Sequence, residues 1–186
     1  EVALVVAAAT ACAAASPAAG LSAAAIAPLL AISFGRTSID DVVGAWRLRA
    51  AVTTIVLAIP AGAAAVFAAW VTGVVGPPRV PTEAATPAFW AFVVAEEWLF
   101  RGYVQARLVG VPGGRVRAFG VDVGPEHWIG AALFAAAHAP RLGIAAAAIF
   151  VPGLVFAWAR TRSGGLVAPI LVHAAYNVLG ASVSAR

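Results

Sequence analysis

The run Ala91-Phe92-Val93-Val94-Ala95-Glu96-Glu97-Trp98-Leu99-Phe100-Arg101 decides how this chain is read, because it sets two adjacent carboxylates inside a stretch otherwise apolar enough for a bilayer. Ionisable groups in hydrocarbon are costly unless they are paired or put to use, so residues of this kind mark a functional site. Outward from it the pattern recurs as Phe134-Ala135-Ala136-Ala137-His138 and as His173-Ala174-Ala175-Tyr176-Asn177. Together the three islands make a candidate active site within a membrane.

Composition agrees with that reading. Hydrophobic residues make up 62% of the 186, charged residues 11%, and mean hydropathy is +0.94, far from the roughly half-apolar, quarter-charged profile of soluble domains. At about 20 apolar residues per span, the chain holds about six or seven membrane helices and no separate soluble domain. The expected fold is all-α: a polytopic transmembrane helix bundle of about seven helices with a short interfacial helix. It would form a single transmembrane domain over residues 1–186, with the motif-bearing core at about 87–183. The expected location is an integral, multi-pass position in a bacterial plasma membrane.

The basic residues are all arginine, the formal net charge is +4, and the arginines are scattered at segment ends. That is a topology signal, and it excludes nucleic acid as a partner. Cys12 is the only cysteine and is read as packing. The run from Val2 to Ala15 lacks the basic start that a signal peptide needs.

Pro17 and Gly20 divide the first apolar stretch into helices at about 2–15 and 21–34. Residues 35–48 suit a short surface helix opened by Ser38-Ile39-Asp40-Asp41 in the manner of a capping box. A span at about 51–75 is stopped by Gly76-Pro77-Pro78-Arg79-Val80-Pro81. The glutamate-bearing span covers about 87–108, and a glycine-rich polar connection follows over 110–126. A short helix at about 127–139 ends at Pro140, and spans at about 142–160 and 165–183 complete the chain.

Counted loop to loop, Arg36, Arg47, Arg49, Arg107, Arg115, Arg117, Arg160 and Arg162 fall on one side, and Arg79, Arg141 and Arg186 on the other. The first side is expected to be cytoplasmic. Trp46, Trp70, Trp90, Trp128 and Trp158 lie at helix ends as interfacial aromatics, and Trp98 is expected to wall a pocket.

Glu97 and Arg101 are four residues apart with the carboxylate N-terminal, the favourable order for a same-face ion pair. Glu96 points about 100° away around the helix. Arg101 would therefore keep Glu97 ionised, leaving the less-compensated Glu96 to face a cavity as general base. His173 and Asn177 are one turn apart and can aim donors at one point, as an oxyanion hole requires. Each group also has a plain structural reading: Glu96, Glu97 and Arg101 as a charge cluster that locks helices, His138 as an interhelical hydrogen bond with Phe134 packing beside it, and His173 with Asn177 as a second such bond. What favours a site is that nearly every strongly polar side chain inside the spans belongs to these three groups.

Other polar residues fit a catalytic role poorly. Ser163 and Asp122 lie in polar connections, Asp40 and Asp41 at a solvated helix start, and His127 at a helix start where it caps or anchors.

The set Glu96-Glu97-x-x-x-Arg101-Gly102-Tyr103, Phe134-x-x-x-His138 and His173-x-x-x-Asn177 resembles the CAAX protease and bacteriocin-processing family of intramembrane endopeptidases, which includes the type II CAAX prenyl endopeptidase. The stretch from Trp158 to His173 also looks like that family's approach to its last motif, and the likeness runs from about Pro87 to Leu179. The resemblance implies that Glu96 and His138 activate water, that His173 and Asn177 hold the oxyanion, and that Glu97 and Arg101 order the site. It implies hydrolysis of a peptide bond in a membrane-associated peptide or protein substrate, with the lipid bilayer as the surrounding partner. A zinc ion held by Glu96, His138 and His173 is the alternative to water activated without metal, and the metal-free route is favoured because no His-Glu-x-x-His helix is present. The rival from another class is a non-proteolytic partner-binding or immunity factor that keeps the fold. A transporter is a weaker third reading.

Overall fold

A computed structural model describes residues 2–33, 38–76 and 86–182. Among the described residues the architecture is all-α apart from one small hairpin. Helices α1 (Val2–Ala15) and α2 (Pro17–Ser33) form an antiparallel pair. The break falls at Ser16, whose side-chain oxygen accepts from the Ala19 N–H at 3.1 Å, with proline at the first helical position. The second helix thus starts four residues earlier than the expected 21, and Gly20 lies inside it.

The surface helix α3 (Ile39–Val43) carries the expected capping box: Asp41 N–H donates to Ser38 Oγ at 3.0 Å and Ser38 N–H to Asp41 Oδ2 at 3.1 Å. It is only five residues long, because Gly44 turns the chain at φ +78°. The long helix α4 (Leu48–Val71) ends before the expected Val75. The proline-rich stop at 77–81, and Arg36, Arg79 and Arg186, lie outside the described residues.

Thr86 caps helix α5 (Pro87–Glu97) by accepting from the Phe89 N–H at 3.2 Å. The chain continues without interruption through a π-helical turn, Trp98–Val104, into α6 (Gln105–Leu108). Such turns insert one extra residue into a helix and concentrate at functional sites. Val42 of α3 is fully buried against this turn at Gly102, where a Cβ would stand 2.7 Å from Val42 Cγ1.

The expected polar connection contains strands β1 (Val116–Ala118) and β2 (Val121–Val123), paired antiparallel with Arg117 opposite Asp122. Phe119 sits at the tip with φ +48°, and its carbonyl accepts from Trp158 Nε1 at 3.2 Å and Arg162 Nη1 at 2.7 Å. Helix α7 (Pro125–Leu142) runs past Pro140, the expected end. A proline in the last turn leaves only one carbonyl without its donor, and the helix stops instead at Gly143, φ +58°. A 3₁₀ segment (Gly143–Ile149) leads to α8 (Phe150–Ser163), which ends at the left-handed Gly164, and α9 (Val167–Ala181) follows.

The core gathers small residues from the first pair (Val6, Ala9, Ala24) with Leu99, Phe100, Tyr103, Phe134, Phe156 and Val172. Phe134 stands at its centre, in edge contact with Phe100, Phe156, His138 and His173. Two described helical stretches, Ile39–Val71 and Pro125–Ser163, are long and apolar enough to cross a membrane, each with hydropathy 2.1. Val2–Cys12, Ala19–Ser33 and Val167–Ala181 are shorter apolar helices.

Arginines expected on a common side do meet at one end of the bundle. Arg47 donates to the carbonyls of Thr161 and Arg162, Arg160 to those of Asp41 and Val42, and Arg162 to the hairpin tip. Arg115 makes a two-pronged pair with the buried Glu126 at 2.7 and 3.0 Å. Arg141 sits at the opposite end of α7, about 24 Å further along at 1.5 Å per residue.

Candidate active site

Glu97 is fully buried at the last turn of α5, and Arg101 follows it on the π turn with 2% exposure. Their side chains pair at 3.3 Å, as the four-residue spacing predicts. Arg101 also donates to the Gly153 carbonyl of α8 at 3.1 Å, and its guanidinium lies 4.2 Å from the Phe134 ring centre and 5.1 Å from that of Phe156. Ring faces are electron-rich, so this aromatic seat offsets part of the guanidinium's lost hydration.

Glu97 has a second partner that the sequence did not suggest. His173 of α9, itself buried, places Nδ1 at 2.7 Å from the same Glu97 oxygen. That oxygen faces the Arg101 guanidinium, so it accepts and the imidazole Nδ1–H donates. The other ring nitrogen, Nε2, then faces Glu96 Oε2 at 3.5 Å. Phe156 stacks on the imidazole with centroids 4.6 Å apart and planes at 18°, which fixes its orientation.

His138 approaches Glu96 from the opposite side. Its Nδ1 lies 2.8 Å from the Phe134 carbonyl, and because a carbonyl only accepts, Nδ1 carries the hydrogen. Nε2 is left with its lone pair towards Glu96 Oε1, 4.0 Å away. That gap is too long for a direct hydrogen bond and is of the size one bridging water spans. Glu96 is half-buried and lines a cavity of about 670 Å³ with His138, Phe92, Leu99, Phe100 and Arg141, closed on another side by Ala9, Thr10, Leu21 and Ala24 of the first helix pair.

Glu96, Glu97, Arg101, His138 and His173 are thus brought together from three parts of the chain. Asn177 is not joined to them: it lies one turn beyond His173, exposed, with no hydrogen bond to a described residue. Trp98, expected as a pocket wall, opens the π turn, and Phe92 and Leu99 take that place. His127 caps its helix as expected, accepting from the Gly124 N–H at 3.2 Å, but it is buried and its Nε2 meets Thr161 Oγ1 at 3.0 Å. Ser163 is not in a polar connection but buried at the end of α8, donating to carbonyls. Asp122 belongs to a strand and pairs with Arg117.

A tetrahedral zinc ion needs donor atoms about 3.3 Å apart, given metal–ligand distances near 2.0 Å. The 4.0 Å from Glu96 to His138 is wider, and among the described residues no group of three histidine, cysteine or acidic side chains is arranged to hold a metal ion. The donor set does not fit the ion as it stands.

No curated protein matches the chain, and no solved structure does. Residues 82–179 match the family described as type II CAAX prenyl endopeptidase Rce1-like, a span that contains every one of the clustered polar residues. On that match the chain belongs to the Rce1-like family of membrane endopeptidases.

Proposed function

We propose that this chain is a multi-pass intramembrane endopeptidase, its arginine-rich end cytoplasmic, that hydrolyses peptide bonds of a membrane-associated substrate with water activated by Glu96 and His138. The observation that carries the reading is the convergence of two imidazole Nε2 atoms on opposite oxygens of one carboxylate, at 3.5 and 4.0 Å. A water in the wider gap donates one hydrogen to Glu96 and one to His138 Nε2, which leaves an oxygen lone pair free to attack a carbonyl.

On attack the water's proton passes to Glu96 and the carbonyl oxygen becomes an oxyanion. The oxyanion is met by His173, which donates through Nε2 when both ring nitrogens carry hydrogen, its Nδ1–H being held by Glu97. Glu96 then returns the proton to the departing amine nitrogen as the C–N bond breaks. Glu97 and Arg101 touch no substrate in this scheme. They position His173, as an anionic partner positions a catalytic imidazole in other hydrolases.

The test is Glu96→Ala in protein reconstituted into vesicles, with substrate found by comparing membrane peptides in cells with and without the gene. Cleavage is expected to vanish while the helical circular dichroism and the melting transition stay as in the parent. Cleavage that survives the substitution refutes the scheme, and a cellular phenotype retained without cleavage would point to a partner-binding role.

A further inference from the structure

The tip of the hairpin is exposed, apolar and strained at once. Phe119 is the only non-glycine residue of positive φ among the described residues, at +48°, and it is 84% exposed. An L side chain is disfavoured in that region, and such backbone persists only where the surroundings hold it in place. Here the hold comes from α8: the Phe119 carbonyl accepts from Trp158 Nε1 at 3.2 Å and from Arg162 Nη1 at 2.7 Å. Those bonds also fix the depth of the tip. Trp158 stands five residues before Ser163, the last residue of α8, which is about 7.5 Å along the axis at 1.5 Å per residue. The headgroup layer on each side of the hydrocarbon is about 5–7 Å thick. With the end of α8 level with the phosphates, Trp158 and Phe119 reach the boundary between headgroups and acyl chains, where aromatic side chains concentrate.

The charges at the last turn of α8 suit the same place. Arg47, Arg160 and Arg162 donate to backbone carbonyls and pair with no carboxylate among the described residues. Carbonyls are neutral, so all three guanidinium groups are left without a counter-charge in direct contact. Arg115 and Arg117, by contrast, are matched by Glu126 and Asp122, and Asp41 spends its carboxylate on the Ser38 N–H of its own helix start. We propose that the hairpin tip and the last turn of α8 form a docking surface for anionic lipid, with the Phe119 ring entering the headgroup boundary and a lipid phosphate resting against Arg162. The planar fork of a guanidinium matches phosphate oxygens, and an anionic membrane surface attracts each basic group within about a Debye length. The surface goes beyond peptide hydrolysis and rests only on the placement of the chain in a membrane.

Two measurements on the full chain test it. In vesicles, Cys12→Ala protein carries one introduced cysteine, Phe119→Cys or Asp122→Cys, with a small apolar fluorophore attached. The label at 119 is expected to be quenched by lipid brominated near the top of its acyl chains and shielded from iodide, while the label at 122, paired outward with Arg117, is quenched by iodide. In detergent, the unlabelled chain is melted with phosphatidylglycerol, phosphatidylcholine or inorganic phosphate added. Phosphatidylglycerol is expected to raise the melting transition about 2–4 °C above phosphatidylcholine, the shift that one arginine against an anionic surface gives a chain of this length. Inorganic phosphate alone is expected to give no shift. Phe119→Asn, which keeps the left-handed backbone, and Arg162→Gln are each expected to erase the difference between the lipids, and Phe119→Leu and Arg162→Lys to keep part of it. A label at 119 as open to iodide as the one at 122 overturns the insertion and leaves the tip to a protein partner. Equal shifts with the two lipids, a preference that survives Arg162→Gln, or an equal effect of inorganic phosphate overturns the lipid contact. No readout depends on cleavage: a parent that fails to float with vesicles sinks the membrane placement, whereas a floating parent with a water-exposed tip sinks this proposal alone.

Discussion

Replacing Arg101 by methionine tests the buried charge arrangement most directly. Glu97 is fully buried and Arg101 2% exposed, and among the described residues Glu97 without the guanidinium keeps only the His173 Nδ1–H on one oxygen, its Oε2 having no hydrogen-bond partner. Breaking a buried pair from one side costs about 3–5 kcal/mol, because the remaining charge has neither water nor counter-charge. For a chain of this length about 4 kcal/mol corresponds to roughly 8–16 °C in Tm. Glu97→Gln strands the guanidinium instead, leaving it the Gly153 carbonyl, three phenylalanine rings and the more distant Glu96 carboxylate among the described residues, and a loss of about 3 kcal/mol is expected. The double variant removes both charges, so its loss should fall about 2–3 kcal/mol short of the sum of the two. Thermal melts of purified protein in detergent, followed by tryptophan fluorescence, give all four corners of the cycle. Strict additivity, or an Arg101→Met protein as stable as the parent, would refute the pairing as a source of stability.

Three further outcomes follow from the packing and the site. Gly102→Val drives a side chain into Val42, 2.7 Å from its Cγ1, and should lower stability by about 1–3 kcal/mol, with partial recovery when Val42→Ala is added; no recovery would show that the contact is not the cause. Phe119→Asn keeps the left-handed backbone with a residue that tolerates it, and since the ring is 84% exposed the protein should gain up to about 1 kcal/mol in detergent melts, a gain that a lowered Tm would contradict. Chelator treatment followed by metal analysis is expected to leave cleavage unchanged, and loss of activity restored by zinc alone would show that the Glu96, His138 and His173 donors close around an ion after all.

How much of this was legible in the sequence differs by element, for physical reasons. Helix starts were readable where a side chain caps them, at Ser38 and before Pro87, because the signal is local. The end of the first helix at Ala15 was legible, whereas the start of the second was set four residues late because Gly20 reads as punctuation. The hairpin over 116–123 was missed: its strands are three residues each and are held largely by Trp158 and Arg162, far along the chain. The Glu97–Arg101 pair followed from helical spacing alone. The Glu97–His173 bond did not, since it joins positions 76 residues apart and no periodicity reports which nitrogen faces which oxygen. Nor does any motif announce Phe156, an ordinary apolar residue that stacks on His173.

The cavity at Glu96 has a divided origin. Its polar groups, Glu96 and His138, come from the stretch matched over 82–179, while one of its walls, Ala9, Leu21 and Ala24, comes from the opening pair of helices outside that stretch. One wall of the cavity is therefore encoded apart from its polar groups. On the proposed function, a chimaera that exchanges only the first 33 residues is expected to change which substrates are accepted while keeping the Glu96, His138 and His173 cluster, and enlarging alanines there is the direct route to retuning selectivity.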